Sequence, residues 1–273
     1  MSTMTISLTD LAGLATARPV TGGVPIAEGS APEGTRFALR GPRGDEIPLQ
    51  TEVLSRWGDG SARWVLLDFA GQAPAGGSAE YTLEWGRDVR PVAPEEPIVA
   101  TPDEVHRTPS FAAGEVSLCP VEGCVLRISD RLDVSLALID AEGRRCQASI
   151  DLVEAGPVGP VRATLTMAGA FQDAEGRPWF SVRLRASLYA GSALVRLEPL
   201  IIADGPVGVL QRFRALNLTL TPVAAEGAAG GLRAARLGLP AAGRALTVEG
   251  HRRLFQVDDQ QFRIEALDDA GAG

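Results

Sequence analysis

The sequence predicts an all-β protein built as two successive β domains. Short runs in which apolar and polar residues alternate recur along the chain, the signature of half-buried strands. The 31 glycines and 19 prolines among 273 residues supply turns at short intervals. No stretch of about twelve residues carries the 3.6-residue period of an amphipathic helix. The expected division is residues 1–90 as the first domain, 91–110 as a Pro-rich linker and 111–273 as a β-sandwich domain.

In the first block Arg18–Ser30 reads as a loop or hairpin around Gly22-Gly23. Arg36–Gly41 reads as a strand, Pro42–Asp45 as a turn and Glu46–Trp57 as a strand. Gly58–Ser61 is a tight turn carrying the Asp59-Gly60 pair that hairpins favour. Ala62–Ala70 and Ala79–Trp85 follow as strands around a turn at Ala75–Ser78. Pro91, Pro94, Pro97 and Pro102, with acids between them, read as an extended connector. The second block offers nine strand candidates: Glu115–Leu118, Val125–Ile128, Leu132–Asp140, Ser149–Glu154, Val161–Gly169, Trp179–Tyr189, Leu194–Ile202, Leu210–Leu220 and Arg253–Ile264. Val182, Leu184, Ala186 and Leu188 share one face and Ser181, Arg183, Arg185 and Ser187 the other, as in a sandwich.

The net charge is −8, which opposes a phosphate backbone, so nucleic acid is not an expected partner. No run of about 18 apolar residues points to a membrane span. The N-terminus lacks a basic segment followed by an apolar one, so the expected location is the cytoplasm. All 26 basic residues are arginine, which removes Schiff-base chemistry, a P-loop lysine and a lysine base. No Gly-x-Ser-x-Gly elbow and no metal-ligand spacing occur, so neither cofactor nor metal is expected. Cys119 and Cys124 could flank a hairpin as a bridge or as two buried thiols.

The segment Arg56-Trp57-Gly58-Asp59-Gly60-Ser61-Ala62-Arg63-Trp64 carries the most information. A two-residue turn at Asp59-Gly60 would pair 57 with 62 and 56 with 63. Trp57, Ala62 and Trp64 would then share the core face, with Arg56 opposite Arg63 on the other. Two like charges across a ladder need an anion nearby. Either Glu52 supplies it, or the pair is a clamp for a carboxylate such as a uronic acid. Tyr189 is a buried cap or a sugar-stacking platform; Tyr81 reads as core; His106 and His251 read as exposed loop residues.

Val20-Thr21-Gly22-Gly23-Val24-Pro25 with Gly29, the Arg56–Trp64 segment and Ala75-Gly76-Gly77 together resemble the N-terminal RIFT-barrel domain of the exo-rhamnogalacturonan lyase family, also called YetA-like. Gly159-Pro160-Val161-Arg162, Asp173 with Gly176, Arg183, Leu188–Gly191, and Leu254-Phe255-Gln256 before Asp258-Asp259 resemble that family's central β-sandwich. The resemblance implies polysaccharide lysis by β-elimination. Family members continue into an α/α-toroid domain, and this chain reaches Gly273 without a helical repeat. The expectation is therefore the scaffold or substrate-recognition portion of such a protein, inactive by itself, with no catalytic residue of its own. Arg56, Arg63 and Tyr189 are the expected carbohydrate contacts. The expected partners are an acidic polysaccharide or oligosaccharide and the toroid domain or a protein supplying it. A stand-alone carbohydrate-binding protein and a structural β protein without a ligand are the alternatives.

Overall fold

The computed structural model describes residues 1–10, 13, 15–102, 108–204 and 212–223, and the backbone of 252–256 and 262–266. The described residues form an all-β architecture. A RIFT-barrel-like region of two small sheets is followed by a larger sheet.

The first of the small sheets orders β1 (Ser2–Thr9), β7 (Ser78–Gly86), β3 (Arg36–Arg40) and β4 (Glu46–Ile47) side by side. The second orders β2 (Arg18–Pro25), β6 (Ala62–Gly71) and β5 (Leu49–Arg56). Their inner faces close one core. Met4, Ile6 and Leu8 of β1 and Tyr81, Leu83 and Trp85 of β7 meet Val65, Leu67 and Phe69 of β6. The alternation Met4-x-Ile6-x-Leu8 makes residues 2–9 a strand that the sequence reading left unassigned. Arg18–Ser30 is likewise a strand, β2, followed by a turn, because Arg18–Pro25 pair with Trp64–Gly71 of β6. Tyr81 is buried as expected; its hydroxyl accepts from the Gln72 amide (2.7 Å) and donates to the Gln72 carbonyl (2.9 Å), closing the β6–β7 connection.

The larger sheet is a ladder from β8 (Val99–Pro102), β9 (Pro109–Ala113), β10 (Val116–Cys119), β11 (Leu126–Ile128) and β12 (Leu132–Asp140) through β13 (Arg145–Val158), β14 (Arg162–Gln172) and β15 (Pro178–Tyr189) to β16 (Val195–Ile202). β17 (Phe213–Pro222) pairs with β12. The ladder folds on itself, so that Phe111, Ala113, Val116 and Leu118 of β9 and β10 share a core with Leu165 and Met167 of β14 and Val182, Leu184 and Leu188 of β15. Val182, Leu184, Ala186 and Leu188 are buried as expected, but Ser187 of the face expected to be wet is buried too (3% exposed), its hydroxyl 2.8 Å from Thr164 Oγ1. Part of the Pro-rich stretch, Val99–Pro102, pairs with β9. Arg253–Ile264, read as one strand, is a hairpin of β18 (Arg252–Gln256) and β19 (Phe262–Ala266). Residues 205–211, His106 and His251 lie outside the described residues.

Cys119 and Cys124 are thiols rather than a bridge; their sulfurs donate to the carbonyls of Pro120 (3.6 Å) and Leu126 (3.4 Å). In β14, Gly169 sits where the partner strand bulges between Ile150 and Leu152. A methyl there would overlap the Ser149 carbonyl, a backbone atom that cannot turn aside. Gly169→Ala is therefore expected to destabilise the chain by about 1–3 kcal/mol, read as a fall in the denaturant midpoint without a change in slope.

Candidate functional site

The β5–β6 hairpin departs from the simple two-residue turn. Trp57 N donates to Ser61 O (2.8 Å) and Gly60 N to Trp57 O (3.0 Å). Arg56 pairs with Ala62, Ser55 with Trp64 and Val53 with Val65. Leu54 is thus an extra residue on β5 and Arg63 an extra residue on β6, two compensating bulges. This corrects the expected pairing of Arg56 with Arg63: the bulge takes Arg63 out of the ladder. Its guanidinium lies over the Trp57 ring, 4.8 Å from the centroid. Arg56 Nη1 donates to the Gly60 carbonyl (2.9 Å). Both arginines are exposed. No clamp of facing arginines is formed.

The residues that carried the family resemblance brace this hairpin against the β2–β3 connection. Ser61, 2% exposed, donates its amide (2.8 Å) and hydroxyl (2.6 Å) to Asp59 Oδ1 and accepts from the Gly29 amide (2.9 Å). Gly29 and Gly60 have φ of +74° and +84°, the left-handed region that favours glycine. Hydrogen bonds from the Ser61 side chain and amide hold Asp59 below the usual carboxylate range. Trp57 Nε1 donates to Ile26 O (2.8 Å) and Trp85 Nε1 to Ser30 O (3.1 Å), so two indoles pin the same connection. Trp64, expected in the core with Trp57, instead stands on the outer face of β6 and is 42% exposed.

Further along that outer face lies a buried polar seam between the two β regions. Asp68, 2% exposed, accepts from Thr21 Oγ1 (2.6 Å). Arg162 Nε stands 3.2 Å from Asp68 Oδ1, close enough for an ion pair, but its N–H is not aimed at the oxygen and makes no hydrogen bond. Gln50, opposite Asp68 on β5, accepts through Oε1 from the amides of Val161 (3.1 Å) and Arg162 (2.8 Å). Gly159 leaves room for Gln50, since a methyl there would overlap the amide group. Burial pushes the Asp68 carboxyl up, against the lowering effect of Thr21 and Arg162, and nearby Glu52 adds to the rise. Tyr189 pairs with Arg162 and is 5% exposed; with Arg18, Phe69 and Val161 it lines a cavity of about 60 Å³ at the seam. It stands here as the buried cap, not as an open platform.

A larger hollow, about 240 Å³, opens beside β3 and β7, with Arg40, Glu46, Glu84, Asp88 and Arg90 among its lining residues. Arg40 is paired there with Glu84 (3.0 Å) and Glu46 (3.6 Å).

Sequence reading passed over one repeat. Asp140-Ala141-Glu142-Gly143-Arg144 recurs as Asp173-Ala174-Glu175-Gly176-Arg177. Each builds the same turn. Asp140 takes the Arg144 amide (2.7 Å) and Nε (2.6 Å), and Asp173 the Arg177 amide (2.9 Å) and Nε (2.8 Å). Gly143 and Gly176 have φ of +90° and +77°. Both turns lie at one end of the meander β12–β15, with Glu142 and Glu175 on their tips. The five-residue identity was the available signal.

Residues 4–86 match the PcRGLX-like N-terminal RIFT barrel domain. The RIFT barrel match takes in both small sheets, the braced hairpin and the barrel half of the seam. No curated protein matches the chain.

Two outcomes follow from the bracing of the RIFT-barrel-like region and its seam. Ser61→Ala removes a buried hydroxyl with two partners and is expected to cost about 1–2 kcal/mol in chemical denaturation. Because the folded-state pKa of Asp68 is raised, its stabilising contribution is complete below the ordinary carboxylate value of about 3.9 and is lost as pH rises through the folded-state value. Asp68→Asn cannot titrate. The stability of Asp68→Asn relative to wild type should rise with pH above about 4 and then level off; a difference that stays constant with pH would contradict this linkage.

Proposed function

We propose that this chain is the scaffold and substrate-recognition portion of a rhamnogalacturonan-lyase-like, polysaccharide-degrading protein, and that elimination chemistry is supplied by a further helical domain or by a partner carrying one. The observation that carries the reading is the match of residues 4–86 to the RIFT barrel domain, joined to the sequence resemblance of the second block to the same family's sandwich.

The chemistry of the described side chains supports a recognition role. A uronate lyase needs a cation to neutralise the carboxylate and a base to take the adjacent proton. Arginines are plentiful and stand exposed at the hairpin tip, where Arg56 and Arg63 present donor groups to solvent. The carboxylates with altered acidity serve the fold. Asp133 is held low by its hydrogen bonds from Arg127 (2.7 and 3.0 Å), Asp173 by Arg177 and Asp204 by Ser181, each tying a turn or strand pair. Asp68, whose acidity shifts the other way, is closed in by Thr21, Gln50 and the second region. Arg56 and Arg63 are the recognition residues in this reading, and Tyr189 supports the seam behind them.

The test is to incubate the purified chain with pectic rhamnogalacturonan and follow both ultraviolet absorbance and retention in an affinity gel. The expected result is retention with no rise in absorbance. A rise, reporting the unsaturated uronate product, would contradict the reading.

A further inference from the structure

The outer face of the β2–β6–β5 sheet is covered at one end and open at the other. Asp68, Thr21 and Gln50 lie under the second region. Moving along β6 away from that seam, the same face presents Leu66 and then Trp64, with Gly23 and Pro25 opposite them on β2 and Glu52 opposite Leu66 on β5. The open end is therefore continuous with an interface already built.

Three features shape the open end. Gly23 has no side chain, and the Trp64 indole occupies that space: a methyl on Gly23 would overlap Nε1. The two bulges fall at this point, and bulges re-aim side chains. Leu54, the extra residue of β5, is 51% exposed, and Trp64 is 42% exposed. Positive charge stands alongside. Arg63, exposed, adjoins Trp64 in the chain, whereas Arg56 pairs with the buried Ala62 and so belongs to the other face of the sheet. Arg63 holds its guanidinium over the Trp57 ring, 4.8 Å from the centroid, and stays exposed to solvent.

We propose that Trp64, seated on Gly23, is the stacking platform for a sugar ring of a uronate-bearing oligosaccharide, with Arg63 beside it to take its carboxylate. This rests on the recognition reading above and names the residues and ligand class. An exposed indole next to an exposed arginine suits an acidic sugar better than an apolar protein surface, which would leave the guanidinium group desolvated. A short oligosaccharide is the fitting probe because it spans one platform and its neighbouring arginine.

The experiment is calorimetric titration of the full chain with a short oligogalacturonate and with a rhamnogalacturonan oligosaccharide, using Trp64→Ala, Trp64→Phe and Gly23→Ala. Circular dichroism reports folding of each variant. Trp64→Ala is expected to weaken binding about tenfold or more, and Trp64→Phe to retain it within a few fold. Gly23→Ala is expected to weaken binding although the tryptophan is still present, because the methyl takes the indole's seat. If wild type binds and both Trp64→Ala and Gly23→Ala bind equally well, the platform is overturned while the recognition reading stands. If folded wild type binds neither sugar, both are overturned. Concentration-dependent self-association abolished by Trp64→Ala, without sugar binding, would assign this face to a second copy instead.

Discussion

Strand β6 has two faces and a period of two, and the arrangement of the molecule follows from how its residues divide between them. Val65, Leu67 and Phe69 turn inward and close the barrel core. The residues between them must face outward. At Asp68 that outward face is buried a second time, by the turn that opens β14, and at Trp64 it is left open. One strand thus fixes a core, a junction and an exposed aromatic surface, and a one-residue slip would exchange the first for the other two.

The junction is polar where an apolar one would be simpler. Burying Asp68 costs free energy that Thr21 and a misdirected Arg162 only partly offset. Such a seam adds little bulk stability but selects one docking geometry. Gln50 reads two successive amides of the 161–162 segment, and Gly159 leaves the space that Gln50 fills. An apolar contact would tolerate sliding; two amides on one carbonyl oxygen do not. In the proposed recognition role, a fixed geometry would present a ligand read by one region at a set position relative to the other.

Much of this was legible in the amino-acid sequence, and the failures have physical reasons. Alternation located Ala62–Ala70, Ala79–Trp85 and the buried face of Trp179–Tyr189, because period-2 burial is a local property. The Asp59-Gly60 pair located the hairpin. Its register was not legible, because compensating bulges at Leu54 and Arg63 restore the alternation on either side and leave no net trace in the pattern. Trp64 therefore read as core, and Arg63 as a partner for Arg56. The seam was out of reach for another reason: Gln50 and Arg162 are separated by 111 intervening residues, and nothing local marks Asp68 as buried. The strand at Ser2–Thr9 and the twin Asp-Ala-Glu-Gly-Arg turns were legible and passed over.

The central claim is that the outer face of β6 holds the second β region in one orientation through the Gln50 and Asp68 contacts. Native-state amide hydrogen exchange at Val161 and Arg162 tests it most directly, since both amides end on Gln50. The account predicts that the two amides exchange slowly and together, and that Gln50→Ala accelerates both while leaving the amides of β6 unchanged. Exchange of Val161 and Arg162 at the rate of an open turn in the wild-type chain would contradict it.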